Sequence, residues 1–594
     1  MTVTPAEEYT ERLLTREARA AQLEKQHARI ATARLVLAVA ILIAAWFSLQ
    51  RSAFFWGWLG IPAAGFIGIA LYHSNVRRAW SRALRAAAVY RNGLARMQDR
   101  WAGSGQRGER FEDPHHVYAA DLDLFGKGGL FELLCTARTR MGEETLAQWL
   151  LSPASVTQIQ ERHAGIAELR TLVDLREALA VLGDEPDIGV QPGALLQWAE
   201  APNSLQQRWL RWLAPALGML SIATAVVWGI WDFATPFLAV LLIEGGIAYS
   251  LRRPLNEVLH GTEHAFEDLQ LLAQLLARIE REHFQAPGLR ALMQELASHG
   301  VAASQAIARL RTIVQFVESR RNPLLRLLDV PLMYSVQAAM SAQRWRQAHG
   351  RAIRSWLKVT GEVETLISLG AYSYEHPADC FPEFVAGPAS FNGLELGHPL
   401  LPAASCVRNT VSIGRDAKVL LVSGSNMSGK STLLRTIGIN TVLAMAGAPV
   451  RARALQLTAL QVGASIRVND SLHDGSSRFF AEITRLRQIH DLSGRSPSLL
   501  FLSDELLQGT NSADRRVGAA GVMRALVKKG AIGLISTHDL ALTDIDGIEN
   551  FRLHNVHFQD ELQDGKIEFD FKLREGVVTK SNGLQLMRSI GLDV

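Results

Sequence analysis

The chain has 594 residues, enough for roughly four structural units at about 150 residues each. It is 48% hydrophobic and 20% charged, which excludes a disordered protein, and its three widely spaced cysteines (Cys135, Cys380, Cys406) exclude a disulfide scaffold and a cysteine-based zinc module. The net charge of +4 conceals an asymmetry: residues 1–100 hold 14 Lys+Arg against 6 Asp+Glu, so the rest of the chain is net acidic. A local basic surplus points to a membrane surface or to nucleic acid.

Residues 1–30 predict a polar, amphipathic cytoplasmic helix. Residues 35–50 carry no charge, and after Arg51 neither do residues 52–76, with His73 counted as neutral. About 20 apolar residues cross a bilayer, so 31–76 predicts a first transmembrane hairpin, with Arg34 and Arg51 placed to snorkel. The apolar run starts too late for a cleaved signal peptide, and a second run follows at once. Residues 77–119 predict a basic helix and then a linker at Gly103–Asp113. Helical spacing at 143–151 and 157–182 predicts a mostly α region over 120–208. A second hairpin is predicted at 209–251: residues 212–231 are uncharged, Asp232 marks a turn, and the arm 233–251 is interrupted by Glu244. An acid inside a span is costly, which makes this arm the weakest of the four. Residues 252–384 return to helical spacing. From 385 to 594 short β-rich runs (419–424, 498–505, 531–537) alternate with helices, the pattern of a mainly parallel sheet.

The flanks support the membrane reading. Lys25, Arg29 and Arg34 precede the first hairpin and Arg77, Arg78, Arg82 and Arg85 follow it; Arg208 and Arg211 precede the second and Arg252 and Arg253 follow it. Positive residues on the outer sides place those flanks, and residues 385–594, in the cytoplasm of a multi-pass inner-membrane protein. Seven of the 13 tryptophans lie in or beside the four segments, as interfacial anchors do. A helical bundle with all-round apolar core helices explains the runs but not the flanking charge.

Gly424-Ser425-Asn426-Met427-Ser428-Gly429-Lys430-Ser431 matches G-x-x-x-x-G-K-[ST], between an apolar strand and a helix that Thr432 continues. Its glycines let backbone N–H groups close on phosphate, Lys430 reaches the β- and γ-phosphates of ATP, and the Ser431 hydroxyl ligates Mg²⁺. The strand 499–503 ends in Asp504 and Glu505. Asp504 would hold Mg²⁺ and Glu505 would polarise the attacking water. His538, after a third apolar strand, would sense or position the γ-phosphate. Leu492-Ser-Gly-Arg495 is read as a loop, since it abuts the acidic strand with no room for the helix that an ABC-type signature opens.

These motifs resemble the MutS family. GSNMSGKSTLLR (424–435) is similar to its phosphate loop, with Ser425 where Pro is usual. Asn469–Glu482 resembles its serine loop and SDELLQGTNSADR (503–515) its acidic motif, with Gln508 where Arg is common. STHDLALT (536–543) resembles its His motif, and the segment from Phe569 to Leu592 its closing segment. Residues 121–153 look like the start of its core or lever domain. The resemblance implies a homodimer of ATPase domains, with Ser477 completing the partner's site in trans and Asn426 near the phosphates, and a switch driven by ATP and Mg²⁺.

The expected architecture is therefore multi-domain: a cytoplasmic N-terminal helix (1–30), hairpin 1 (31–76), a basic helix and linker (77–119), an all-α lever in two parts (120–208 and 252–384) interrupted by hairpin 2 (209–251), and a C-terminal α/β P-loop ATPase domain (385–594). Phe316-Val-Glu318 and Phe381-Pro-Glu383 match the mismatch-wedge tripeptide of repair members but stand in the wrong domains. The expectation is a short, membrane-anchored member without the mismatch-reading domain. Two readings follow. One is an ATP-driven switch that binds mismatched or structured DNA, as the resemblance implies. The other is a mechanoenzyme that remodels a protein or membrane partner without DNA.

Overall fold

The computed structural model describes residues 3–50, 60–182, 192–202, 209–260, 266–298, 300–319, 328–425, 427–467, 478–508, 510–539, 552–563 and 566–578. Its N-terminal part is helical and its C-terminal part is α/β with mixed sheets.

The first helices are α1 (Pro5–Gln50) and α2 (Gly60–Met97). The expected boundaries at 30/31 and 76/77 fall inside these helices, because neither proline nor glycine stands near either boundary. Their polar halves pack through a seam of Ala20, Leu23, Val76 and Ala83. Their apolar halves are bare: Leu42 is 70% and Ile61 73% exposed. The expected linker is a fixed loop. Glu132 is buried, and its carboxylate accepts from the N–H groups of Gly103 (2.8 Å), Gly105 (2.9 Å) and Gly128 (2.7 Å).

Next come α3 (Leu130–Leu134), α4 (Arg140–Leu151), α5 (Val156–Leu169), α6 (Val173–Ala180) and α7 (Pro192–Glu200). Thr139 caps α4 and the Ser155/Gln158 capping box starts α5. The second apolar pair is α8 (Leu210–Trp231) and α9 (Thr235–Ser250), joined at Asp232 in the left-handed region. Trp212 is 70% and Leu242 78% exposed, whereas Glu244 is fully buried and accepts from Ser221 Oγ at 2.8 Å. The acid that interrupts the fourth arm thus faces α8. By length and composition α1 and α8 suffice to cross a membrane, while α9 is shorter. The helical part ends with α10 (Arg252–His260), α11 (Phe266–Ile279), α12 (Pro287–Ala297), α13 (Ala303–Ser319), α14 (Tyr334–His349) and α15 (Ile353–Glu375).

The C-terminal part contains β1 (Glu383–Phe384), β2 (Phe391–Leu396), β3 (Asn409–Ile413), β4 (Val419–Ser423), α16 (Lys430–Ala446), β5 (Ala454–Leu457) and β6 (Leu460–Ser465). It continues with α17 (Arg478–Leu492), β7 (Ser498–Asp504), α18 (Ser512–Lys528), β8 (Ile532–Thr537), β9 (Leu553–Gln563) and β10 (Lys566–Glu575). A six-stranded sheet runs β10-β9-β4-β8-β7-β6, parallel except for β10. A four-stranded mixed sheet, β1-β5-β2-β3, which the alternation pattern did not announce, packs beside it. Ser493–Arg495 form the turn after α17, and Leu492 ends that helix.

The helical part grips this domain at α16. Gly438 leaves room for Leu122 and Leu502, whose methyl carbons would stand 2.6 and 2.8 Å from a Cβ there. Asp123 pairs with Arg467 and Arg435, and the Asp121 carboxylate accepts from the N–H groups of Ile466 and Arg467 at 2.7 and 2.6 Å. The acids of the 121–153 segment therefore fasten the helical part to α16 and to the end of β6.

Candidate active site

β4 is buried along its whole length and delivers the chain to Gly424 at φ +150°, where a Cβ would stand 2.9 Å from Ser428 Oγ and 3.0 Å from the Phe558 carbonyl oxygen. Gly429, at φ +105°, opens α16. No side chain caps that helix, so its first-turn N–H groups remain available to an anion at the positive end of the helix dipole.

Lys430 is only 5% exposed. Its Nζ donates to the carbonyl oxygens of Gly424 (2.9 Å) and Ser425 (2.8 Å). Burial pushes its pKa below the ordinary lysine value, and the charges of Glu505 and Asp504 pull it back. Parallel pairing aligns the strand ends, with Ser423 opposite Thr537 and Asp504 opposite Ser536. Asp504 consequently accepts from two hydroxyls, Ser431 Oγ on one carboxylate oxygen and Ser536 Oγ on the other. Glu505 follows in the left-handed region, φ +54°, and its N–H donates to the Ser536 carbonyl oxygen at 3.1 Å. Its Oε1 lies 3.1 Å from His538 Nδ1. A non-glycine residue at positive φ costs about 1–3 kcal/mol, which the surrounding hydrogen bonds must hold.

Five expected residues therefore meet: Lys430, Ser431, Asp504, Glu505 and His538. Ser425, Met427 and Thr432 are exposed on the loop and first turn, and Ser428 is buried with its Oγ unpartnered among the described residues. Asn426 and Ser477 lie outside the described residues. The structure adds three residues. Ser536 ties Asp504 to the turn of Glu505. Glu482 is buried and accepts from the Leu507 N–H, fixing the chain just beyond Glu505. Phe571, 40% exposed, has its ring 3.2 Å from where a Gly429 Cβ would stand, and its carbonyl oxygen accepts from Asn409 Nδ2 at 3.0 Å. The quoted motifs contained all three, but only strand register and loop folding reveal what they touch.

Residues 420–593 match the family described as MutS domain V. The chain is 32% identical over 202 residues to the DNA mismatch repair protein MutS of Lactobacillus delbrueckii subsp. bulgaricus, covering 33% of this chain and 23% of that protein. It is 30% identical over 217 residues to the DNA mismatch repair protein MutS of Lactobacillus johnsonii, covering 36% and 25%. The match thus spans about a quarter of the length of these curated relatives. Residues 420–593 are thus similar to domain V of the MutS family.

Proposed function

We propose that the protein is an ATP-hydrolysing conformational switch of MutS type, anchored in a membrane. The convergence of Lys430, Ser431, Asp504, Glu505 and His538 at neighbouring strand ends carries the reading, and MutS family proteins are ATPases. The residues fit ATP and Mg²⁺. Among the described residues, a buried ammonium held only by carbonyl oxygens, an unpartnered Ser428 Oγ and an uncapped helix start suit a phosphate chain, while the Ser431–Asp504 pair suits a divalent ion.

Mg²⁺, when bound, neutralises charge on the β- and γ-phosphate oxygens. Lys430 is the point charge on the same oxygens. Ser431 and Asp504 would hold the ion, Ser431 directly and Asp504 through its water shell. Glu505 orients water and accepts its proton, and His538 keeps the Glu505 carboxylate in place beside the γ-phosphate. Phe571 offers an exposed ring suited to stacking a nucleobase. The ATPase domains pair face to face as a homodimer, each site completed by Ser477 of the other subunit. The exposed apolar faces of α1, α2, α8 and α9 lie in the bilayer, and the ATPase domain lies in the cytoplasm.

Turnover by the detergent-solubilised full chain tests this. Lys430→Ala should weaken nucleotide binding, Glu505→Gln should bind with turnover nearly abolished, and Ser477→Ala should bind but hydrolyse slowly. Equal turnover in all of them and the wild type overturns the site. DNA binding is the second reading. The matched relatives are DNA mismatch repair proteins, and Arg77, Arg78 and Arg82 stand exposed on α2. Retention of homoduplex, mismatched and branched DNA across a salt series, with ADP and with a non-hydrolysable ATP analogue, decides it. Structure-selective, nucleotide-dependent binding supports a DNA-sensing switch. Absent or nucleotide-blind binding leaves a membrane mechanoenzyme.

A further inference from the structure

We infer that a buried ion-pair joint at the start of α1, the end of α2 and the end of α15 transmits the nucleotide state of the ATPase domain to the apolar helix pair α1/α2. The inference rests on the ATPase reading above and names what that engine moves.

At its centre is Glu375, the last residue of α15, with no side-chain exposure. Both of its oxygens are taken by the Arg96 guanidinium of α2, Nε to Oε2 at 2.7 Å and Nη2 to Oε1 at 2.6 Å. Tyr9 of α1 is buried against the same carboxylate, its hydroxyl 3.4 Å from Oε1, and also accepts from Arg176 of α6 at 3.2 Å. Gly93 of α2 lets the helices close: a Cβ there would meet the Tyr9 ring at 2.4 Å. A second layer surrounds this centre. Arg12 pairs with Asp174 at 2.5 Å and Arg16 with Glu177 at 2.9 Å, and the Tyr90 hydroxyl donates to the same Glu177.

Only seven residues separate Glu375 from β1 at Glu383, so the joint sits where the helical part enters the α/β part. A second route reaches it from the active site. The Ala446 and Met445 carbonyl oxygens at the end of α16 accept from Arg162 Nη1 of α5 (2.8 Å) and from the Ala154 N–H (3.1 Å). α4 in turn meets α15 through Glu364, which accepts from the Arg138 N–H at 2.9 Å and from the Thr139 hydroxyl. Rigid helices thus connect Lys430 to Tyr9. Beyond the joint α1 continues unbroken from residue 17 to Gln50, about 50 Å at about 1.5 Å per residue, so a small rotation at its base becomes a large displacement at its apolar end.

The chemistry suits transmission better than adhesion. A buried ion pair contributes little net stability relative to an apolar replacement, because both charges must be desolvated. A forked guanidinium–carboxylate pair does fix orientation, and a transmitting joint needs that.

Hydrogen exchange of the full chain in nanodiscs, with ADP or with a non-hydrolysable ATP analogue, tests the joint. In the wild type, amides of residues 5–20 and 84–97 should differ between the two nucleotides by about twofold or more in rate. In Glu375→Gln, and more weakly in the rim variant Arg12→Ala/Asp174→Ala, that difference should vanish or shrink. Nucleotide affinity, measured separately, should stay within about twofold, since none of these side chains touches the site. The rim variant keeps the test decisive if Glu375→Gln does not fold, because Asp174 is largely exposed. Wild-type protein that binds both nucleotides yet shows identical exchange in these helices overturns the inference, as does full nucleotide dependence in the variants. Wild-type protein that binds neither nucleotide overturns the ATPase reading instead.

Discussion

Two helices of this protein read alike and are solvated oppositely. α16 (KSTLLRTIGINTVLAMA) and α8 (LRWLAPALGMLSIATAVVWGIW) are both long, apolar and almost free of charge. From Leu433 to Ala446 almost every residue of α16 is buried, between the six-stranded sheet and the helical part. Its polar Asn440 is fully satisfied, bonding the Gly397 and Thr436 carbonyl oxygens and the Arg451 N–H. α8 buries few residues and leaves Trp212, Met219, Ile222 and Ile230 bare. Apolar composition alone does not say whether protein or another apolar phase covers a helix. The flanks differ as well: Arg211 and Trp209 stand at the start of α8, whereas α16 starts at a glycine loop and the buried Lys430.

The largest effects are expected at the start of α16. Lys430→Ala removes the buried cation proposed to face the phosphates, a charge-assisted interaction of about 1.5–3 kcal/mol, so nucleotide affinity should fall roughly 10- to 100-fold. Glu505→Gln should keep that affinity while turnover falls about 10²- to 10³-fold. Equilibrium binding and steady-state hydrolysis measure the two separately. Loss of both properties in both variants would mean that these residues hold the loop together rather than act on nucleotide.

What the sequence disclosed here has a physical pattern. The glycine loop, the acidic strand end and His538 were legible because each needs a fixed residue type at a fixed spacing. The mixed sheet β1-β5-β2-β3 was not, since its short strands alternate weakly and one pairing spans from Glu383 to Gln456. The roles of Ser536, Glu482 and Phe571 depend on register and on how loops fold back. The continuity of α1 and α2 was hidden by their change of composition midway, which backbone geometry ignores. Glu244 argued against a span by its charge, and only the packing of α9 on α8 gives it Ser221.

A reciprocal pair of substitutions sharpens the comparison of the two helices. Met219→Arg on the bare face of α8 should cost about 2.5–3.5 kcal/mol of insertion if lipid covers that face, and should deplete the membrane fraction after detergent-free lysis. Gly438→Leu in α16 should leave membrane association unchanged and destabilise the fold by about 1–3 kcal/mol, because Leu122 and Leu502 already fill the space. If Met219→Arg partitions like the wild type, α8 is a protein-covered helix after all.

Two buried glutamates of the helical part, Glu364 and Glu244, are satisfied differently. Glu364 in the helical core accepts from the Arg138 N–H and the Thr139 hydroxyl, and burial still pushes it up to about 7 from an ordinary 4.5. A carboxyl group raised in the folded state favours folding while protonated. Stability from this group is therefore greatest below about pH 4.5 and declines as the pH rises towards 7. The loss approaches about 3 kcal/mol at pH 8, on the order of 1.4 kcal/mol per unit of pKa. His163 and His398, held near 4 by burial, act in the opposite sense, losing stability as the pH falls from 6.5. Thermal unfolding of wild type and Glu364→Gln from pH 5 to 8 isolates the carboxyl group in the difference between the curves. Parallel curves would show that Glu364 is ionised in the folded protein throughout that range.

Glu244 has a single donor, the Ser221 hydroxyl, and its Oε1 is unpartnered among the described residues. The pair joins α8 to α9 inside an otherwise apolar contact, where polar links between helices contribute about 0.6–2 kcal/mol. Ser221→Ala should therefore weaken the α8–α9 pairing by about 1 kcal/mol, while Glu244→Leu, which removes both the acid and its need for a donor, should be milder or neutral. Cross-linking between cysteines introduced on the two helices, in native membranes, measures this directly. If Ser221→Ala and Glu244→Leu reduce cross-linking equally, the pair adds attraction. If only Ser221→Ala does, the hydroxyl serves to satisfy an acid already committed to the interface, and Glu244 is kept there for something other than the strength of the helix contact.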